Sequence, residues 1–282
     1  MRVSRIAEPK VNVAGFSNDT YILFREFVRE RVGIVYSEPR RRIFENRILS
    51  RIRALELESG EAYFRYLSFH PNREQEFLQL VSVLTNNETF FFREPATLEA
   101  VIARIRATPS KGKIRILSAG ASSGEELSTV AILARIAGID LERLELTGID
   151  IDVAMIEHSR DGRYRNKSFR NTDPENIVRF FVPDADVRRL KPAIHQHLEF
   201  RWANLVDETT LRFPHSFDVI LCRNVLIYFD SETVERVVRS FHGLLADDGV
   251  LVTGLSESLA SLPFLFDPIR DDGVVLYTKV PL

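Results

Sequence analysis

Apolar positions fall into two regimes along the chain. From residue 18 to about residue 107 they recur at helical spacing, with few strand signals. The spacing predicts a helix over 19–33, closed by Gly33 as a C-cap, with Ile22, Leu23, Phe27 and Val28 turned inward. A second helix is expected from Ser37, with Pro39 in its first turn, through Ile43, Phe44, Ile48, Ile52 and Leu55. Further helices are expected over 61–67 and 72–84, and the first 18 residues read as an aperiodic lead-in.

After Pro109-Ser110-Lys111-Gly112 the pattern changes to short apolar runs bounded by turn residues. Residues 114–118, 144–149, 218–222, 250–253 and 274–279 read as strands, and 125–137, 153–160 and 231–245 as helices between them. This alternation predicts an α/β fold with a mostly parallel, doubly wound sheet. Right-handed crossovers then bring the strand C-termini to one edge, where ligands bind in such sheets. Between 163 and 203 the chain is polar and Pro-interrupted around Phe180-Phe181-Val182 and residues 198–202. An insertion with a small antiparallel element is expected there. The reading gives a helical domain over 18–108 and an α/β domain over 109–282.

Composition narrows the function classes. Of 282 residues, 45% are hydrophobic and 28% charged, which suits a soluble chain with a buried core. Thirty-eight Lys and Arg against 40 Asp and Glu leave a net charge of −2, which argues against nucleic-acid binding by overall charge. The one cysteine, Cys222, makes neither an internal disulfide nor a Cys-based zinc site, and it reads as a buried filler in a reducing, cytoplasmic setting. No metal-ligand spacing occurs among the histidines; His195 and His197 read as surface residues. No apolar run is long enough for a membrane span or a signal core.

The candidate chemistry lies at the strand ends. Ser118-Ala119-Gly120-Ala121-Ser122-Ser123-Gly124 joins the first strand to its helix, so small residues there let the backbone approach a ligand closely. The loop lacks G-x-G-x-x-G, and Glu125 and Glu126 follow it. Two carboxylates repel a pyrophosphate and attract a cation; alternatively they only complement the helix dipole. Asp150 closes the second strand, where Rossmann-like folds put an acid on the ribose hydroxyls; the alternative is an N-cap, a role Asp152 fills better. A ribose acid together with acids near the glycine loop fits S-adenosylmethionine, which has a cationic sulfonium and no phosphate.

Two segments are more specific. Asn87-Glu88-Thr89-Phe90-Phe91-Phe92-Arg93-Glu94-Pro95 resembles the N-x-T-x-FFR-(E/D) signature of the CheR family, the chemotaxis receptor glutamate methyltransferases. Cys222-Arg223-Asn224-Val225-Leu226-Ile227-Tyr228-Phe229-Asp230 looks like its CRN-V-x-IYF-D segment. ASSGEE at 121–126 is similar to the family's STGEE loop. Asp150-Ile151-Asp152 with Ser159-Arg160-Asp161-Gly162-Arg163-Tyr164, Asn204-Leu205 and Gly254-Leu255-Ser256-Glu257-Ser258 complete a series that covers nearly the whole chain in order.

The resemblance implies a class I methyltransferase domain behind a small all-α domain, S-adenosylmethionine as methyl donor and a chemoreceptor glutamate as acceptor. Carried over by position, Asn87, Thr89 and Arg93 would close over the cofactor. Gly120 would lie in the cofactor loop, and Glu125 would hold the amino or methionine end. Asp150 would take the ribose, Asn204 and Leu205 would flank the adenine, and Asn224 and Val225 would line the methionine side. Arg93 and Tyr228 would sit nearest the reacting groups. A glutamate, with a pKa of about 4.3, is already ionised at neutral pH and needs no strong base. Catalysis would rest on proximity and alignment, which supply roughly 7–11 kcal/mol of a barrier. Arg93 can hold a carboxylate as a planar fork, and Tyr228 can aim the nucleophile.

Residues 36–53 carry Arg40, Arg41, Arg42, Arg47, Arg51 and Arg53 against Glu38 and Glu45, a local excess of four positive charges. Such a run is either a solvated face or a surface that steers an acidic partner. The resemblance implies the latter, with the cytoplasmic coiled coil of a receptor as the partner. The chain departs from the family at Leu127-Ser128, where many members have Pro-Tyr, and in its short insertion, so independence of a receptor C-terminal tether peptide is expected. The competing readings are a non-catalytic CheR-like module that binds the cofactor and signals, and a methyltransferase acting on nucleic acid or an amine. The near-neutral charge, and CRNV where an acidic-Pro-Pro-Tyr motif would stand, speak against the last of these.

Overall fold

In the computed structural model, residues 16–108, 112–271 and 273–281 are described; the lead-in over 1–15 and the linker residues 109–111 lie outside them. The chain forms two compact units that divide between Thr85 and Asn86.

The first unit is helical: α1 (Asn18–Val32), α2 (Arg41–Ala54), α3 (Gly60–Phe69) and α4 (Arg73–Leu84), with Pro39 in a 3-10 turn just ahead of α2. Helix α1 starts where the Ser17 side chain accepts the Thr20 N–H and stops at Gly33, whose φ of 81° suits a residue without a Cβ. Its inner face is Tyr21, Phe24, Val28 and Val32, while Ile22 and Leu23 are exposed. The expected inner face was thus offset, because a face with aromatics on both sides does not fix its own rotation. Phe24 stacks on Tyr63 of α3, and Tyr21 meets Phe44 of α2 edge-on, which settles it.

The second unit begins with a strap over 86–94 and α5 (Pro95–Ala107). There follow β1 (Ile114–Ala119), α6 (Glu125–Ile136), β2 (Leu144–Asp150), α7 (Val153–Asp161), β3 (Arg163–Tyr164), α8 (Pro174–Phe180), β4 (Phe181–Asp184), β5 (Val187–Leu190), α9 (Pro192–His195) and β6 (Leu198–Trp202). The chain continues with β7 (Phe217–Cys222), α10 (Ser231–Leu244), β8 (Leu245–Thr253), β9 (Phe266–Asp271) and β10 (Val274–Lys279). The main sheet has the order β6-β2-β1-β7-β8-β10-β9. Neighbouring strands from β6 to β8 run parallel, and β10 is antiparallel to β8 and β9.

Successive residues point to opposite faces, so each strand feeds two cores. Ile116, Leu146, Val219 and Val250 join a cluster with α5 and α6, whereas Leu117, Ile149, Ile220 and Leu251 join one with Val237, Val238 and Phe241 of α10. Burying one such side chain is worth about 1.5–3 kcal/mol. Cys222 is fully buried within the second cluster, and burial pushes its thiol well above the ordinary value.

Three expectations are corrected. The units divide at 85/86 rather than 108, because Leu98, Val101, Ile102 and Ile105 of α5 cover the sheet; helical periodicity identifies a helix but not the core its face covers. Residues 198–202 are no part of the insertion: they form β6, the edge strand of the main sheet, in register with β2 from Leu146↔Leu198 to Asp150↔Trp202. The small antiparallel element expected in the insertion is present there as the three-stranded sheet β3-β5-β4. Strand β9, with Pro268 inside it, was not expected; it survives as an edge strand, where a missing N–H is tolerated.

Candidate active site

The sheet order reverses direction at β1, which lies between β2 and β7, and the loops leaving β6, β2, β1, β7 and β8 share one edge. At the β1 exit the N–H groups of Gly120 and Ala121 both donate to the Ile149 carbonyl, binding this loop to the end of β2. Gly120 has φ 80°, and a Cβ there would collide with Val225 Cγ2. Gly124 has φ 90°, and a Cβ there would press on Phe200 Cζ at 2.8 Å. Only glycine fits both demands.

Asp150 ends β2 at 8% exposure. Its Oδ2 accepts the Ser122 N–H at 2.7 Å and its Oδ1 the Asp152 N–H at 2.8 Å. Burial pushes its pKa up to about 6, against the pull of those backbone hydrogen bonds. Asp152 is the N-cap of α7, accepting the Ala154 N–H at 3.0 Å, and it also accepts the Asn87 amide at 2.6 Å. Capping therefore falls to Asp152, and each Asp150 oxygen keeps acceptor capacity. Beyond β6, the Ala203 N–H donates to the Asp150 carbonyl at 3.0 Å, which sets Asn204 and Leu205 beside this end of β2.

The two acids after the loop have different surroundings. Glu125, 2% exposed, accepts the Ser123 and Ser168 hydroxyls at 2.6 and 2.8 Å. With Asn87, Thr89 and Ser123 it lines a cleft of about 650 Å³, walled on the far side by Met155, His158 and Arg165. Glu126 is engaged elsewhere: its oxygens accept the Ser118 hydroxyl at 2.9 Å and Arg223 Nη1 at 2.8 Å. Arg223, with 1% of its side chain exposed, also donates through Nη2 to the Arg93 carbonyl at 2.7 Å and to Glu94 Oε2 at 3.1 Å. A buried guanidinium needs such partners, since removing them leaves an uncompensated charge.

The strap is held in place along its length. Ser122 Oγ donates to the Asn87 carbonyl at 3.1 Å, the Phe91 N–H to the Ser168 carbonyl at 2.9 Å, and the Phe92 N–H to Thr129 Oγ1 at 3.1 Å. Phe91 is fully buried among Tyr164, Phe169 and Phe181, so it serves packing. Phe90 lies under the Arg170 guanidinium, 3.7 Å from the ring centre. The Arg93 guanidinium donates to the Glu88 carbonyl at 2.8 Å.

At the β7 exit Asn224 adopts φ 60°, a left-handed conformation rare for residues other than glycine. Glu257 holds it. This buried carboxylate accepts the N–H groups of Asn224 and Gly254, each at 2.7 Å, and of Ile227 at 3.2 Å, tying the β7 loop to the β8 loop. Residue type alone assigns Glu257 no role, although it is the acid of the Gly254–Ser258 segment. Tyr228 accepts the Asn86 amide at 2.8 Å and keeps its O–H to donate.

Asn87, Glu125, Asp150, Asn204 and Asn224 thus gather at one edge through hydrogen bonds among these loops, and Thr89 faces the same cleft as Glu125. No hydrogen bond joins Arg93 to Tyr228 among the described residues: Arg93 donates to the Glu88 carbonyl and Tyr228 accepts from Asn86. The arrangement offers a ribose-type acceptor, a buried carboxylate for a cationic group, and a covering strap. CheR methyltransferase, SAM binding domain, is the family model matched by residues 87–274, and CheR methyltransferase, all-alpha domain, is matched by residues 19–85. The chain belongs to the CheR methyltransferase family. Among relatives, the chemotaxis protein methyltransferase of Salmonella typhimurium is 34% identical over 242 residues, 84% of this chain and 83% of that one. Chemotaxis protein methyltransferase 2 of Pseudomonas aeruginosa is 33% identical over 277 residues, 93% of this chain and 96% of that one. A probable biofilm formation methyltransferase of the same organism is 30% identical over 83% of this chain and 56% of its own length.

The basic helix of this CheR member is narrower as a surface than its composition suggests. Arg51 forms two hydrogen bonds of 2.9 and 2.8 Å with the buried Glu76, which also accepts the Tyr63 hydroxyl at 2.7 Å. Arg47 Nη1 donates to the Leu84 carbonyl at 2.6 Å and to Tyr36 Oη at 2.8 Å, covering the C-terminus of α4. Arg41 bonds Glu45 and lies over the Tyr21 ring. Arg40, Arg42 and Arg53 are exposed and have no partner among the described residues. His195, expected at the surface, is half-buried with Nε2 3.1 Å from the Ser159 carbonyl.

Proposed function

We propose that this chain transfers a methyl group from S-adenosylmethionine to glutamate side-chain carboxylates of chemoreceptors, forming glutamyl methyl esters in sensory adaptation. The observation that carries the reading is the meeting of Asp150, Glu125, Asn224 and the 87–93 strap at one strand edge of a CheR-family chain. The residues fit the methyl donor. Each Asp150 oxygen keeps lone pairs for ribose hydroxyls after accepting one backbone N–H. Glu125 is a buried acid with no cationic partner among the described residues, suited to an ammonium group, and Gly120 leaves no room for a Cβ beside Val225. Asn204 and Leu205 would flank the adenine, and Asn224 and Val225 the methionine side. When bound, the donor supplies a sulfonium methyl for in-line displacement by a carboxylate oxygen.

The chain's own residues position and exclude. Asn87 and Thr89 line the cleft, Arg93 closes over the cofactor and holds a carboxylate as a planar fork, and Tyr228 donates its O–H to aim the acceptor oxygen. No general base is needed for an ionised glutamate. The acceptor is the cytoplasmic coiled coil of a receptor, met by Arg40, Arg42 and Arg53 on and just before α2. Recognition needs no tether peptide, since Pro183 removes a donor from the short edge strand β4. The enzyme works in the cytoplasm; no helix among the described residues is long and apolar enough to cross a membrane.

Incubation of the full chain with methyl-labelled S-adenosylmethionine and receptor-bearing membranes tests this. Label released as methanol in base is expected. Base-stable label would point to an amine or nucleic-acid acceptor, and cofactor binding without transfer to a signalling module; either overturns the proposal.

A further inference from the structure

Arg223 stands in the Cys222–Asp230 segment, yet the proposed reaction gives it no task. The residue it grips, Glu94, has φ 52°, and Phe92, two positions earlier, has φ 57°. Left-handed conformations outside glycine persist where surroundings hold them, and they cluster at functional sites. Phe92 is held by its N–H bond to Thr129. Glu94 is held by Arg223, which takes the Arg93 carbonyl in the same grip and is itself anchored on Glu126, and it accepts the Asn224 amide at the longer distance of 3.5 Å. Between the two strained residues lies Arg93, whose guanidinium turns back along the strap, donating to the Glu88 carbonyl and lying 5.6 Å from the Phe90 ring centre. The direction of Arg93 is therefore set by strap backbone fixed from either side.

We propose that Arg223 is a positioning residue for Arg93: it clamps the Arg93 carbonyl and the Glu94 carboxylate against Glu126, and so fixes the direction in which Arg93 meets the carboxylate it holds. This rests on the reading of Arg93 given above. Arg223 reaches its partners from two nitrogens of one rigid plane, Nη1 to Glu126 and Nη2 to the Arg93 carbonyl and Glu94, whereas a lysine offers a single nitrogen on a flexible stem.

A double-mutant cycle on the full chain tests the clamp, with methyl transfer to receptor-bearing membranes followed at saturating substrates. Arg223→Lys disturbs a buried network and risks the fold. Glu94→Gln keeps the shape, loosens the grip on the strap, and is the decisive variant. Glu94→Gln is expected to lower kcat by about tenfold or more, with the KM for S-adenosylmethionine within about threefold, and to lower Tm by only a few degrees because Glu126 still compensates Arg223. In an Arg93→Ala background the same change is expected to cost less than about twofold, because its effect passes through Arg93. A Glu94→Gln enzyme with parental kcat, or losses that multiply across the cycle, would overturn the clamp. Parental turnover in Arg93→Ala alone would overturn the reading of Arg93 and the clamp with it, a result distinct from multiplying losses.

Discussion

Asp150 shows how one buried carboxylate carries a pH signature. Burial raises its pKa to about 6, and each oxygen accepts one backbone N–H. The proposed ribose contact needs the ionised form, which accepts from both hydroxyls. Below about pH 6 the group protonates, so affinity for S-adenosylhomocysteine is expected to fall about tenfold per pH unit. Calorimetry between pH 5 and 8 measures this, and flat affinity across pH 6 would remove Asp150 from the ribose role. Stability moves the other way. A carboxyl whose folded pKa lies above its ordinary 3.8 binds its proton first in the folded state, so this group's contribution to stability falls as pH rises from 3.8 through 6. Asp150 was legible in the sequence as an acid closing a strand. Glu257 was not, because its partners, the N–H groups of Asn224, Ile227 and Gly254, leave no trace in residue type.

Helix α2 has two kinds of arginine with opposite consequences. Arg51 is bonded to the buried Glu76, and removing one partner of such a pair costs about 3 kcal/mol because the other charge stays buried. Arg51→Met is expected to lower Tm by roughly 5–10 °C, measured by calorimetry. Arg42 and Arg53 lie on the exposed face. Arg42→Glu and Arg53→Glu are expected to shift Tm little and to raise the KM for receptor several-fold, with cofactor affinity unchanged. Equal thermal losses in both sets would show that the exposed arginines also serve the fold. Composition counted six arginines as one surface; only packing separates the structural from the available ones.

Across the whole molecule, charge is close to balanced at −2, so long-range attraction to an acidic partner rests on local patches rather than on net charge. Exposed charges more than about 10 Å apart are largely screened at 0.1 M salt. Receptor methylation rates are accordingly expected to fall between about 50 and 500 mM salt, while S-adenosylhomocysteine affinity, set by buried groups, changes less. Salt-insensitive methylation would count against electrostatic docking on α2.

The residues alone determined the helical and α/β halves, the ligand edge of the sheet, and the family motifs. These depend on local periodicity and on turn chemistry, both carried by neighbours in the chain. Tertiary structure decided which core α5 covers, that residues 198–202 join the main sheet, and that Glu126 belongs to Arg223, 97 positions away. A charge or an apolar face can be read from its own residue, but the partner that sets its role comes from a distant part of the chain, and only folding brings the two together.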